Sequence, residues 1–331
     1  MAENMIEARG LRRVYKTRQG EVEAVRGVEF TVDTGEIVGF LGPNGAGKTT
    51  TLRMLTTLLE PTGGEATVAG RDLSTDPVGV RRRIGYVAQG GSTDPEARSG
   101  EEIVDHARMY GIDARVARSN GQALFEQLDL DGLWDRQCKT LSGGQRRRLD
   151  IAMGLVHQPG LVFLDEPSTG LDPQSRANLW EHVARLRSDL DTTVFITTHY
   201  MDEADVLCDR ILVIDDGSIV AQGTPDELKR RVAGDSVILT FEQQRSTVVV
   251  AELVSHLEGA TDPTIEGTEV RFQVPDGASA LPVLLRAMVE HDLDATGVEV
   301  HRPTLDDVFL IMTGRSLRDE AASDTTDRAA A

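Results

Sequence analysis

Gly42-Pro43-Asn44-Gly45-Ala46-Gly47-Lys48-Thr49 decides the fold. The stretch fits G-x-x-x-x-G-K-[ST], a loop that cradles phosphate. Glu36-Ile37-Val38-Gly39-Phe40-Leu41 precedes it and reads as a buried strand; Thr50-Thr51-Leu52-Arg53-Met54-Leu55 follows and reads as a helix. Strand, glycine loop and helix is the context the motif needs. The glycines let backbone N–H groups turn onto phosphate oxygens, where a side chain would block approach. The helix N-terminus adds partial positive charge. Lys48 is placed to reach the β- and γ-phosphates, and the Thr49 hydroxyl to ligate Mg²⁺. The plainer alternative, a glycine-rich turn with a chance lysine, does not account for the flanking strand and helix.

Working outward, other apolar runs end in polar groups suited to the same chemistry. Arg83-Ile84-Gly85-Tyr86-Val87-Ala88-Gln89 reads as a strand ending in Gln89, followed by the loop Gly90 to Pro95. Leu161-Val162-Phe163-Leu164-Asp165 reads as a buried strand whose terminal carboxylate can hold Mg²⁺ or its waters. Glu166 follows and can polarise a water for attack on a γ-phosphorus. Ser168-Thr169-Gly170-Leu171-Asp172-Pro173 is a tight loop expected to bring Asp172 near the same place. Val194-Phe195-Ile196-Thr197-Thr198-His199 is a further strand ending in His199. Ligands of open α/β sheets gather at strand carboxyl ends, where Gly42, Gln89, Asp165 and His199 all fall.

Leu141-Ser142-Gly143-Gly144-Gln145 opens a helix through Leu155, with Leu149, Ala152, Met153 and Val156 on one face. Ser142, Gly143 and Gly144 offer a hydroxyl and bare amides at a helix N-terminus, a second anion site. The alternative is a simple serine cap. One loop already holds phosphates, so a second grip suggests a partner subunit's nucleotide. Between Gln89 and Leu141 the chain reads as helical from about Gly100 to Trp134, with Ile103, Val104, Ala107 and Met109 at helical spacing.

The net charge of −19 argues against non-specific nucleic-acid binding. The runs Arg81 to Arg83 and Arg146 to Arg148 read as solvated helix faces. Cys138 and Cys208, the two cysteines, lack metal-like spacing and suit a reducing cytosol. No run reaches the ~18 apolar residues of a membrane span, and the N-terminus lacks signal-peptide features. The expected place is the cytoplasm; work at a membrane would need spans from another protein.

At the N-terminus, Ile6 to Val32 alternates like a hairpin broken at Gln19-Gly20, and Tyr15 offers a ring for stacking. Glu65 to Asp72 reads as strand and turn. Arg210 to Gly223 reads as a hairpin turning at Asp216-Gly217, and a helix follows Thr224-Pro225 through Arg231. After Val232, strands at 236–241, 269–274 and 297–300 alternate with helices at 249–257 and 281–290, which suggests a small α+β domain. The tail from Arg315 reads as disordered.

The glycine loop, Gln89 loop, Leu141 to Gln145, Leu161 to Pro167, Gly170-Leu171-Asp172 and Thr197-Thr198-His199 occur in the order found in ATP-binding cassette (ABC) transporter ATPases. The chain resembles that family from about Ile6 to Gly223. The resemblance implies ATP with Mg²⁺, an adenine stacked on Tyr15, and phosphates held by Gly42, Pro43, Asn44, Gly45, Ala46, Gly47, Lys48, Thr49 and Thr50. It implies Thr49, Gln89 and Asp165 at Mg²⁺, Gln89 facing the permease, Glu166 as base and His199 on the transition state. It gives Ser142 to Gln145 and Asp172 to the interface of a homodimer. Thr304 to Gly314 looks like the ending of the daunorubicin-resistance subfamily, whose ATPases pair with separate ABC-2 type membrane permeases and often export drugs or antibiotics. Ser99-Gly100-Glu101-Glu102 departs from the Thr-Gly-Arg-Glu-Asn run common there. The expected fold is therefore α/β: a P-loop NTPase cassette over 1–224 with a helical subdomain at about 90–158, then a small α+β domain over 225–314. The expected function is ATP hydrolysis driving export, peripheral on the cytoplasmic side of the membrane. The alternatives are a lipid or polysaccharide exporter, or an ABC ATPase acting on nucleic acid.

Overall fold

The computed structural model describes residues 4–18, 20–232 and 234–313. The expected disordered tail lies outside them. The chain forms two compact units that divide after Pro225.

The first unit opens with a long hairpin, β1 (Asn4–Thr17) and β2 (Gly20–Asp33). β3 (Ile37–Leu41), the glycine loop and α1 (Lys48–Leu55) come next, then the short pair β4 (Gly63–Val68) and β5 (Arg71–Asp72). α2 (Pro77–Arg83) leads into β6 (Ile84–Val87). Three helices follow: α3 (Ser99–Met109), α4 (Ala114–Gln127) and α5 (Gly143–Leu155). The chain then alternates through β7 (Leu161–Asp165), α6 (Pro173–Leu190), β8 (Thr193–Thr198), α7 (Met201–Leu207), β9 (Arg210–Asp215) and β10 (Ser218–Gly223).

A six-stranded sheet in the order β10-β9-β3-β8-β7-β6 forms the centre, parallel except for β10. β1, β2, β4 and β5 form a separate antiparallel sheet. Both bury side chains in one core, where Phe30, Phe40, Phe163 and Phe195 meet with ring centroids 5.6–6.0 Å apart. Register decides where the chemistry lies. Leu41 pairs with Thr198, Asp165 with Thr197 and Leu164 with Val87, so four parallel strands end at nearly one level. The residues that follow those ends emerge side by side.

The helical stretch differs from its sequence expectation. Gly111, in the left-handed region at φ 81°, breaks it, and Asp113 caps a new helix by accepting from the Arg115 N–H. Met109 does not join Ile103 and Ala107 inside; it is 82% exposed. The helices α6 and α7 have no counterpart in the sequence reading.

The second unit contains α8 (Pro225–Val232) except its first residue, β11 (Asp235–Thr240), α9 (Gln244–Ser255), β12 (Thr264–Glu266), β13 (Glu269–Val274), α10 (Gly277–Glu290), β14 (Gly297–His301) and α11 (Leu305–Thr313). Its antiparallel sheet runs β12-β13-β11-β14. Val237, Leu239, Val270 and Phe272 pack there against Val250 and Val254 of α9 and Leu284 and Met288 of α10. Relative to the expected alternation, it gains β12 and α11.

Phe195 is fully buried and touches three other rings. Phe195→Ala should therefore lower the unfolding free energy by about 3–5 kcal/mol, read from denaturant melts.

Candidate active site

The glycine loop is shaped by its own packing before any ligand is considered. A Cβ at Gly42 would lie 2.2 Å from the Ile214 carbonyl oxygen of β9. Gly47, the residue that caps α1, sits at φ 106°, and a Cβ there would lie 2.6 Å from the Ala24 carbonyl oxygen. Both positions need glycine for the loop to fit between β2 and β9.

α1 begins with Lys48, whose side chain is 4% exposed. Its ammonium donates to the carbonyls of Gly42 (2.7 Å) and Pro43 (2.9 Å) and lies 3.3 Å from Glu166 Oε1. Thr49 Oγ1 is 3.4 Å from Asp165 Oδ1, which also accepts from Thr197 Oγ1 at 2.7 Å. Asn44, Gly45, Gly47, Lys48, Thr49, Thr50, Gln89 and Glu166 line a cleft of about 180 Å³. That volume suits the phosphate end of a nucleotide and not the whole molecule.

Glu166 is where the surrounding elements converge. It is 7% exposed and has φ 43°, a strained value for a residue with a Cβ. Its N–H donates to the Thr197 carbonyl (3.0 Å) and to Thr197 Oγ1 (3.1 Å), which fixes the turn. Its carboxylate accepts from Gln89 Nε2 (2.9 Å) and Thr169 Oγ1 (3.2 Å), and His199 Nδ1 stands 3.3 Å away. Burial alone would raise this carboxyl; the His199 imidazole and the Lys48 charge outweigh it and hold it at about 2.

Strand-end position thus brings Gly42 to Thr50, Gln89, Asp165, Glu166 and His199 together. Tyr15, Ser142 to Gln145 and Asp172 do not line the cleft. Tyr15 is half-buried on β1, with the Arg13 guanidinium 4.8 Å over its ring. Ser142 Oγ accepts from the Gln145 N–H (3.2 Å) while Gln145 Oε1 accepts from the Ser142 N–H (3.0 Å), a reciprocal cap. The serine cap and the anion-site reading are compatible, because that bond uses the hydroxyl as an acceptor only. Asp172 caps α6, accepting from the Ser175 N–H and hydroxyl. A Cβ at Gly143 would meet Leu171, and one at Gly144 would meet Ser175. The Asp172 loop therefore adjoins the Ser142 helix.

Two participants were not singled out from sequence. Thr197 bridges Asp165 and Glu166, and its signal was its place one residue from a strand end. Arg147 is buried, at 6% exposure, and corrects the reading of that arginine run as a solvated face.

A parallel sheet with a phosphate loop, a strand-end aspartate and glutamate, and a capped Ser-Gly-Gly helix defines a P-loop cassette ATPase. The profile of the family described as ABC transporter matches residues 25–169. That described as ATP-binding protein DrrA1-3-like, C-terminal domain, matches residues 223–313. A daunorubicin resistance ATP-binding protein of Streptomyces coeruleorubidus is 40% identical, covering 93% of this chain and 95% of its own. A doxorubicin resistance ATP-binding protein of Mycobacterium tuberculosis is 42% identical over 92% of each. A Nod factor export ATP-binding protein of Burkholderia lata is 39% identical over 93% of this chain and 97% of its own. Among solved structures, cbiO1 of Clostridium perfringens, part of an ABC transporter complex, superposes with TM-score 0.61 at 26% identity, covering 70% of this chain and 94% of its own. A dimeric bacterial ABC transporter cassette shares the fold at the same TM-score and 24% identity, covering 66% of this chain and 98% of its own. The chain belongs to the ABC transporter ATP-binding proteins, in their daunorubicin-resistance subfamily. It binds and hydrolyses ATP as the ATP-binding subunit of an ABC transporter.

The depressed Glu166 carboxyl has a thermodynamic signature. It adds stability above its unfolded value of about 4.5, and this contribution is lost as pH falls through about 2. The stability difference between wild type and Glu166→Gln should be followed from about pH 5, where the carboxylate is ionised in the folded state. It should then shift in favour of the variant as the medium is made more acid, in urea melts across that range.

Proposed function

We propose that this ATPase drives export of a drug or antibiotic-like compound through a separately encoded ABC-2 type membrane permease. It works as a homodimer at the cytoplasmic face. The observation that carries the residue roles is the convergence of Lys48, Gln89 and His199 on Glu166. Supporting the division of labour, among the described residues no helix is long and apolar enough to cross a membrane. The substrate class follows the names of the drug-resistance relatives. The Nod factor export relative supports a second reading, export of a compound other than a drug.

The proposed chemistry follows from the partners of each group. The γ-phosphate of ATP competes with Glu166 for Lys48 and His199, since both stand 3.3 Å from the carboxylate. As those groups turn to the phosphate, Glu166 regains basicity and can accept a proton from the attacking water. Lys48 and His199 then offset the charge spread over the transferring phosphoryl group. Asp165, Thr49 and Gln89 offer oxygen donors of the kind Mg²⁺ prefers, one carboxylate with neutral groups, leaving positions for phosphate and water. Mg²⁺ would supply charge neutralisation between the phosphates. Tyr15 serves the adenine. Ser142, Gly143, Gly144 and Gln145, with Asp172, serve the nucleotide of the second subunit, because they do not line this subunit's own cleft.

A groove of about 890 Å³ supports the permease contact. Leu58, Val78, Arg81, Arg82, Met109 and Tyr110 line it, together with Ala88 and Ser92 from either side of Gln89. Leu58, Val78 and Met109 are 57%, 49% and 82% exposed, an apolar patch rimmed by arginine.

Co-expression with the neighbouring membrane proteins and ATPase assays in vesicles test this reading. Glu166→Gln should bind ATP with near-normal affinity and lose roughly 100-fold or more in turnover, as expected when a general base is removed. Lys48→Ala should weaken nucleotide binding itself. Near-normal turnover in Glu166→Gln would remove that residue from the role of base. Met109→Glu should leave basal hydrolysis intact and abolish its stimulation by the permease; stimulation that survives the charge would place the permease elsewhere.

A further inference from the structure

Arg147 lies in the second turn of α5, the helix that Ser142 caps. Its guanidinium donates to three backbone carbonyls: Nη1 to Ala88 (2.6 Å), Nη2 to Asp165 (3.0 Å) and Nε to Pro167 (2.9 Å). These carbonyls are not a random set. Ala88 precedes Gln89, and Asp165 and Pro167 stand on either side of Glu166. One side chain therefore fixes the backbone next to both members of the Gln89–Glu166 hydrogen bond. One turn further along α5, Asp150 Oδ1 accepts from the Ser92 N–H at 3.0 Å. The chain is therefore held from one helix on both sides of Gln89.

We propose that Arg147 is a positioning residue for hydrolysis. It holds Gln89 and Glu166 in one geometry and ties that geometry to the helix bearing the Ser142 signature. The assignment rests on the roles given above to Glu166 and Gln89. Three features support it. A buried arginine could have been satisfied by one carboxylate, yet this one takes carbonyls from two separate loops. Glu166 holds a left-handed backbone, which persists only where surrounding bonds over-determine it. The fork of a guanidinium reaches three acceptors at fixed angles, which a lysine ammonium on a flexible stem does not.

The test uses the purified full chain, or the chain with its permease where hydrolysis requires it. In Arg147→Gln, kcat should fall roughly 10- to 100-fold, the effect of sub-ångström to 1 Å misplacement of a catalytic group. KM for ATP and the binding constant of a fluorescent ATP analogue should stay within about threefold of wild type, because Arg147 does not touch the phosphate cleft. Arg147→Lys should recover only part of kcat. Should Arg147→Gln not fold, shown by loss of its thermal transition, Arg147→Lys carries the same kcat-against-KM test. Unchanged kcat in both variants overturns the proposal. So does a parallel loss of kcat and nucleotide affinity, which would mark a general structural role. Glu166→Gln is measured alongside: if it retains turnover, the role of Glu166 has failed independently of the outcome at Arg147.

Discussion

A carboxylate at 7% exposure is unfavourable unless opposite charge and hydrogen bonds surround it, and Glu166 organises the cassette for that reason. Thr169, three residues on, is a local partner; the others come from three distant parts of the chain, Lys48 at the start of α1, Gln89 after β6 and His199 after β8. Each can reach it only if the parallel strands end level. The register of the central sheet is thus a functional constraint, and a slip of one residue in β7 or β8 would turn the required groups to the opposite face. The phenylalanine cluster beneath, with Phe163 and Phe195 on those two strands, holds the register from the core side.

The same crowding makes the site a matter of competition. Lys48 is shared between two loop carbonyls and Glu166, and on the proposed chemistry a phosphate competes for the pairing that suppresses Glu166 basicity. On the proposed role, a base held at about 2 is weak, yet one whose Lys48 partner can be drawn away is tunable. The strained turn at Glu166 keeps its side chain from relaxing out of reach, and Thr197 stabilises that turn while also binding Asp165.

What could be read from the sequence tracks how local the governing physics is. The glycine loop, the strand-end acids and His199 were legible because each is set by a short apolar run and the one or two residues that follow it. The reason for the glycines was only half legible: Gly42 and Gly47 are also required by carbonyls of Ile214 and Ala24, which are distant in the chain. The break between α3 and α4 had signals in Gly111 and Asp113, overridden by apolar spacing on either side. α6 was missed although Leu179, Val183 and Leu186 follow helical spacing, because His182 occupies the fourth buried position and breaks the apolar pattern. Arg147 was misread because a run of three arginines looks solvated, and its carbonyl partners lie 18 to 59 residues away.

Those long-range bonds bear on how two half-sites could communicate. The cap of α5 and Arg147 are separated by little more than one helical turn, a span that moves as a rigid unit. The cap end presents Ser142, Gly143 and Gly144 outside this subunit's own cleft; the Arg147 end grips the backbone around Glu166 and Gln89. On the proposed assignment, a phosphate engaging the cap displaces or steadies the very carbonyls that aim the catalytic carboxylate of the opposite site. The Asp172 loop adjoins the same cap through Leu171 and Ser175. Coupling of this kind needs no propagated rearrangement of the core. It needs one helix whose cap and second turn answer to different nucleotides, and on the proposed assignment α5 has that construction.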